Sequence, residues 1–458
     1  MEHIFDLFVN ESAYPDLDGA GAVERLSQAL RFVTVTDAPA PGAFEGLRAH
    51  MRASFPRIMA AAASFETFRN SVLITIPGTD PALKGALFMS HQDVVPVVPG
   101  TEGDWLHGPF SGDVAEGYIW GRGAEDIKQQ VFGTMEALEY LLAHGFTPAR
   151  TVYLAFGDDE ETLNTGSRMM AEALKARGVE LEFLLDEGGG KVHDAAAFGA
   201  PGVLYSDINL MEKGYADLEL TVESHGGHSS RPFGGSSLGI LSEAIAAITT
   251  HPFPAEMDPL LRRAFTELGD AITDERVRAL LDREDWDGLA QYALGQRELF
   301  PYVTTTIAPT MIEGGSLAAN VLPQNLRAVI NFRLAAGTTP DRVLAHCREQ
   351  VGDERVGLRF LQANPPSKIS EAESFGYESL VQSMERFYQG VRFIPLASAG
   401  ATDARSYEDI CPVCLRCSPF LLPKEDEGGV HGTNERLLVR AYLHGIRVLI
   451  DLMERTLG

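Results

Sequence analysis

The sequence predicts an α/β protein: a mixed, largely parallel sheet with helices on both faces, interrupted by an inserted α+β domain. Three observations predict it. Between residues 86 and 186, short apolar runs alternate with helical stretches, the pattern of a parallel sheet built through right-handed crossovers. Each of those runs ends in a cluster of His, Asp or Glu. Near Lys213 the pattern gives way to half-buried, alternating strands. At 458 residues the chain is also too long for one compact core.

In order, residues 22–32 and 42–60 carry apolar side chains at helical spacing. Residues 71–76 are β-branched and apolar and stop at Pro77-Gly78, which reads as a strand and turn. The unbroken apolar run 86–90 fits a strand buried on both faces. His91 and Asp93 follow two apart, so both can point to one side. A helix over 127–144 is closed by Gly145 and Pro148. A second buried strand, 151–156, runs straight into Gly157-Asp158-Asp159-Glu160-Glu161. A helix near 166–177 leads to a third, 181–185, ending in Asp186-Glu187-Gly188-Gly189.

The inserted part reads as strand 217–223, helix 236–249, strands 304–312 and 325–334, helix 340–350 and strand 357–362, a βαββαβ set. The charged, helical stretch 251–301 is a further insertion within it. From about residue 367 the chain returns to the first domain, and a final helix over 436–456 offers an apolar face to the sheet. The division is therefore 1–212 and 365–458 for the first domain and 213–364 for the inserted one.

Asp plus Glu total 64 against 38 Lys plus Arg, a net charge of −26. Such a surface repels nucleic acid and anionic membranes and favours solubility, so neither is expected as a partner. The start, Met1 to Asp6, lacks the basic and apolar regions of a secretion signal, and no apolar run approaches a membrane span. Four cysteines do not make a disulfide scaffold, and a cytoplasmic location is expected. Cys411, Cys414 and Cys417 invite a metal-cluster reading, but Cys347 is remote in sequence. A short strand with small buried side chains is the reading adopted.

The chemistry-bearing residues are His91, Asp93, Asp126, Glu160, Glu161, Asp186 and His431. Imidazole and carboxylate without thiolate is the set zinc uses when it keeps a reactive water. Taken together they read as a site for two divalent metals with one carboxylate, Asp126, between them. In open α/β sheets ligands bind beyond the carboxyl ends of the strands. His91, Asp93, Glu160, Glu161 and Asp186 all fall there, and that shared placement carries the inference.

His-Gln-Asp-Val-Val-Pro (91–96), Gly-Arg-Gly-Ala-Glu-Asp-Ile-Lys (121–128) and Asp-Asp-Glu-Glu (158–161) resemble the co-catalytic dizinc metallopeptidases that include carboxypeptidase S, glutamate carboxypeptidase and aminoacylase. Gly-Gly-His-Ser-Ser-Arg-Pro (226–232), Asn-Val-Leu-Pro (320–323) and His-Gly-Thr-Asn-Glu (431–435) match as well. The motifs look most like those of carboxypeptidase S, through Glu212-Lys213-Gly214. The resemblance implies a zinc-exopeptidase-like catalytic domain with a lid, and two divalent ions per chain, zinc or else cobalt or manganese. It implies that Asp126 bridges them, His91 and Asp186 completing one site and Glu161 and His431 the other. Asp93 would fix the tautomer of His91, and Glu160 would be the general base. A cis peptide bond is implied after Asp126.

In the family, the histidine matching His228 stabilises the oxyanion, often from the partner subunit of a dimer formed through the lid. Positions matching Asn320 and Arg333 bind the substrate's carboxylate. The implied reaction is hydrolysis of the amide next to a free carboxylate in a dipeptide, a short peptide or, alternatively, an N-acyl amino acid. A catalytically inactive metal-binding protein would be marked by a damaged Glu160 or Asp93, and both are intact. Two departures stand out: the 251–301 insertion, which puts the usual dimer in question, and Asn364-Pro365-Pro366-Ser367-Lys368, which lacks the Arg of glutamate carboxypeptidase relatives.

Overall fold

A computed structural model of the chain describes residues 7–422 and 429–458. The N-terminal hexapeptide, on which the sequence reading finds no secretion signal, lies outside them. Twelve strands carry the architecture: β1 (Ser64–Phe68), β2 (Ser71–Ile76), β3 (Gly85–His91), β4 (Val152–Gly157), β5 (Leu181–Asp186), β6 (Leu204–Glu212), β7 (Gly214–Val222), β8 (Thr306–Gly314), β9 (Leu326–Leu334), β10 (Val356–Asn364), β11 (Val391–Ser398) and β12 (Cys414–Arg416).

The first body is a sheet in the order β1-β2-β4-β3-β5-β12-β6-β11, with the short strand His193–Asp194 added on β6. Its centre, β4-β3-β5-β12, is parallel, whereas β1-β2, β2-β4 and β12-β6 pair antiparallel. The sheet is thus mixed and parallel only in part. The antiparallel edge has a local cause: Arg69 and Asn70 alone join β1 to β2, and Arg69 takes φ 58°, the left-handed conformation a tight hairpin demands.

Alternation within β3 sets the two layers. Phe88 faces a core shared with the helices Lys128–Ala143 and Val439–Leu457, while Leu87 and Met89 face the helix Thr165–Ala176. All seven residues of β3 are buried, as a strand covered by helices on both faces requires. The cysteines Cys411, Cys414 and Cys417 are buried free thiols beside and within β12, and Cys347 belongs to another core. No helix among the described residues is long and apolar enough to cross a membrane.

The second body is a four-stranded antiparallel sheet, β8-β9-β7-β10. Helices Ser237–Thr250 and Pro340–Val351 cover one face of it, and Leu218, Leu241, Ile330 and Val343 form its own core. The stretch 251–301 behaves differently. Although contiguous in sequence with this body, its helices pack on the first one. Leu261 and Phe265 of Pro259–Glu267 join Phe198, Tyr205, Ile394 and Leu396 in one apolar cluster. This covers one face of β11, the last strand of the large sheet.

Candidate metal centre

Strand ends converge as the parallel block demands. His91 is the last residue of β3, Glu160 and Glu161 follow β4, and Glu187 follows β5 directly. Asp126 stands in the turn before helix Lys128–Ala143, and His431 comes from the far end of the chain. Asp126 lies between the two imidazoles. Its Oδ1 is 3.3 Å from His91 Nε2 and its Oδ2 is 2.9 Å from His431 Nε2. On the His91 side, Glu187 Oε1 is 3.3 Å and Glu160 Oε2 3.9 Å from Nε2. On the other, Glu161 Oε1 is 3.3 Å from His431 Nε2. Donor atoms of His91, Asp126 and Glu161, and again of His91, Glu160 and Glu187, converge closely enough to share a cation.

Asp186, expected among the ligands, faces backbone amides in this structure. Each of its oxygens accepts a backbone amide: Oδ1 from Glu187 and Oδ2 from Ala404, both at 2.8 Å. The pleat explains this, since Asp186 lies on the same face of β5 as Leu184, in the layer with Tyr407 and Cys414. Glu187, one residue on, turns to His91 instead. Three glycines with positive φ, Gly188 to Gly190, then reverse the chain.

The support around the cluster is dense. Asp93 Oδ1 is 3.4 Å from His91 Nδ1, and the Asp93 carbonyl is nearer still at 3.0 Å. The Asp93 carboxylate also accepts from Thr36 Oγ1 and from the amides of Glu160 and Glu161, so it braces the turn carrying both glutamates. Glu435 does the same for Asp126. Its Oε1 accepts the amides of Gly123, Glu125 and Asp126 at 3.0–3.1 Å, and Arg122 Nη1 binds its Oε2 at 2.6 Å. The Asp126–Ile127 bond is cis. Glu187 and Thr36 escape sequence reasoning, and Glu435 is visible there only as the end of His-Gly-Thr-Asn-Glu.

Crowding this much charge into a buried space shifts every group. Burial, reinforced by the charge of Glu187, pushes Glu160 well above the carboxylate range, and burial lifts Glu187 to about 7. Burial alone would depress His91, but Glu187, Asp126 and Asp93 outweigh it and raise it well above its usual value. The hydrogen bond to Asp126 takes His431 up to about 9. Asp126 goes the other way: burial opposes its charge, yet the two imidazoles hold it below the usual range.

Two cavities flank the cluster. One, of about 530 Å³, is lined by Asp126, Glu187 and Tyr302 among others; the second, of about 880 Å³, by Glu160, Glu161, His431 and Arg333. Arg333 on β9 lies over the Tyr215 ring at 4.8 Å and donates to the Ala399 carbonyl at 3.0 Å. It makes no ion pair with a described carboxylate. His228 and Asn320 are brought to each other but line neither cavity. The short strands Gly227–His228 and Val321–Leu322 pair, and the Ser229 amide donates to the Asn320 carbonyl at 3.0 Å. His228 is exposed, its Nδ1 2.8 Å from Ser230 Oγ.

A mixed sheet whose strand ends gather imidazoles around a shared carboxylate, with a second body set into the chain, defines a metal-dependent hydrolase of the peptidase and amidohydrolase class. The chain belongs to peptidase family M20/M25/M40, whose model matches residues 87–455. It is 33% identical over 415 residues to an N-fatty-acyl-amino acid synthase/hydrolase of Danio rerio, covering 89% of this chain and 79% of that one. It is 33% identical over 358 residues to carboxypeptidase S of Saccharomyces cerevisiae, covering 73% and 60% respectively. In fold it is similar to an M20 family metallo-carboxypeptidase from Sulfolobus solfataricus, with TM-score 0.68, 16% identity and coverage of 94% and 98%.

Proposed function

We propose that the enzyme hydrolyses the amide bond next to a free carboxylate in dipeptides or short peptides, using two divalent ions, zinc foremost. The observation that carries this is Asp126, whose two oxygens address the two imidazoles separately. The residues suit such ions. Nitrogen and carboxylate donors without thiolate fit zinc, and Glu161 Oε1 is buried without a hydrogen-bond partner although His431 Nε2 is 3.3 Å away. His91, Glu187 and Asp126 would hold one ion, and Asp126, Glu161 and His431 the other. When bound, the ions supply the Lewis acidity that makes water acidic near neutral pH and polarises a carbonyl.

The chain's own residues do the rest. Glu160 takes a proton from the attacking water and returns it to the leaving amine. Asp93 holds His91 with Nε2 turned to the cluster. Arg333, which makes no ion pair with a described carboxylate and lines the cavity of Glu160, binds the substrate's carboxylate with its guanidinium fork; Asn320, outside that cavity, joins it only when the lid tip reaches the site. His228 stabilises the oxyanion, and its exposed position suits action from a second copy in a homodimer formed through the lid. An N-acyl amino acid is the second reading, favoured by the activity for which the Danio rerio relative is named. The test is a mixed library of dipeptides and N-acyl amino acids, with metal content measured on the same sample. Turnover confined to free carboxylates, with two ions per chain, is expected. One ion in the fully active enzyme would sink the two-ion arrangement.

A further inference from the structure

The stretch 251–301 leads into a short helix, Phe300–Val303, and there places Tyr302 in the wall of the cavity that also holds Asp126 and Glu187. Resting on the reaction proposed above, the halves of the substrate can be assigned to cavities. The scissile carbonyl must sit at the cluster. Its carboxylate-bearing half points to Arg333, in the cavity lined by Glu160 and Glu161. The acyl half must then leave on the other side, past Glu187. That side has a mixed wall: Phe420, Leu422 and Leu437, which also belong to the main core, stand in it beside the polar Lys191, Asp207 and Asn209. A volume of about 530 Å³ lies within the range of small-molecule sites, about 300–1,000 Å³.

Tyr302 is held firmly although it is encoded inside the lid. The buried Lys213 Nζ donates to the carbonyls of Pro301 and Thr304, on either side of it. Leu299 and Val303 are anchored in the cluster with Phe198, Ile394 and Leu396. The ring therefore packs against the body that carries the cluster. We infer that Tyr302 is a specificity-determining residue in the wall of the acyl-side pocket, so that its bulk sets which acyl groups, of what length, the enzyme accepts.

The experiment uses the metal-loaded protein and an N-acyl-alanine series from acetyl to decanoyl. Tyr302→Ala is expected to raise the kcat/KM ratio of long to short acyl chains by about tenfold or more, the scale of a few methylenes in an apolar pocket. Tyr302→Trp, which keeps the site filled if the Ala variant folds poorly, should lower the same ratio, and Tyr302→Phe should leave it within about twofold, because ring volume carries the effect. Binding of the free acids, acetate to decanoate, is followed by calorimetry in parallel. If no acyl-alanine is turned over yet acid binding still follows the size of residue 302, the N-acyl amino acid reading fails and the pocket stands. Length profiles of the Ala and Trp variants that superimpose on wild type, or acids that bind without regard to residue 302 or not at all, overturn the assignment.

Discussion

The rim of the large sheet and the tip of the inserted body hold their polar residues by different means. At the rim, His91, Asp126, Glu160, Glu161 and Glu187 are fixed by strand ends and by buried braces, Asp93 on one side and Glu435 on the other. At the tip, His228 and Asn320 sit on an exposed pairing of two-residue strands, flanked by Gly226, Gly227, Gly234 and Gly235, all with positive φ. Groups on strands and packed turns are placed more exactly than groups on loops, and reacting groups need the tighter tolerance. The proposed chemistry is accordingly preassembled within one chain, while the proposed oxyanion contact waits for a second surface to meet it. Arg333 is intermediate: it is on the inserted sheet, yet it reaches the Ala399 carbonyl of the first body.

The largest effect should come from the rim. Glu160→Gln is expected to retain the ions and the fold but to lose about 10²–10⁴-fold in turnover, the scale of a general base. Steady-state kinetics with metal analysis on the same preparation check this. Near-normal turnover would place the base elsewhere and remove the main reason for a rigid rim.

Arg333 tests the other side of the comparison. A good substrate and its C-terminal amide should differ in wild type by about 2–5 kcal/mol in kcat/KM, by analogy with truncating a buried charge pair. Arg333→Ala should erase most of that difference. Equal rates for acid and amide in the wild type would end its assignment as the carboxylate clamp.

What the sequence made legible follows the same division. Strands β3 and β4 are apolar runs and β5 is interrupted only by Glu182, so their ends, and hence His91, Glu160 and Glu161, could be located from the chain alone. Two strands of the same sheet could not. β6 carries Ser206, Asp207 and Asn209, the last two lining a cavity, and so lacks an apolar pattern. β11 contains Pro395, which argues against a strand but is tolerated at a sheet edge. The helices of 251–301 advertise an apolar face through Leu261, Ala264 and Phe265, but periodicity cannot say which body covers it. Within the site, Asp186 and Glu187 are chemically alike neighbours, and only the pleat sets them apart.

A stiff rim also presupposes a cooperatively packed first body, and acid offers a way to probe that. His444, on helix Val439–Leu457, is buried among Phe8, Phe387 and Tyr388, with rings 5.0–5.5 Å away. Its Nε2 is 2.6 Å from the Phe387 carbonyl, and its Nδ1 has no partner among the described residues, so a second proton would be stranded. Burial pulls its pKa down to about 4. A depressed histidine keeps its full contribution above the unfolded value near 6.5 and loses it as pH falls toward 4, because the unfolded chain binds the proton first. About 3 kcal/mol of stability should be lost across that window. Urea unfolding at pH 7.5 and 4.5 should show a smaller loss in His444→Gln, by about that amount; identical losses would exclude His444 as the cause.

The finest distinction is between Asp186 and Glu187. Glu187→Gln removes a charged oxygen 3.3 Å from His91 Nε2 and should weaken metal binding by at least the 10–100-fold seen even for outer-shell partners. Asp186→Asn should act through the fold instead. Both Asp186 oxygens accept backbone N–H groups, so an amide in its place must turn one N–H toward another. A buried donor left unpaired costs about 1–3 kcal/mol, so this variant should melt earlier while still taking up its full complement of metal. Metal titration and denaturant unfolding of both variants separate the two effects. Loss of metal in Asp186→Asn at unchanged stability, with Glu187→Gln binding normally, would restore the assignment implied by the motifs. It would also mean that the turn after β5 rearranges when the ions enter, and that the rim is less rigid than its hydrogen bonds make it.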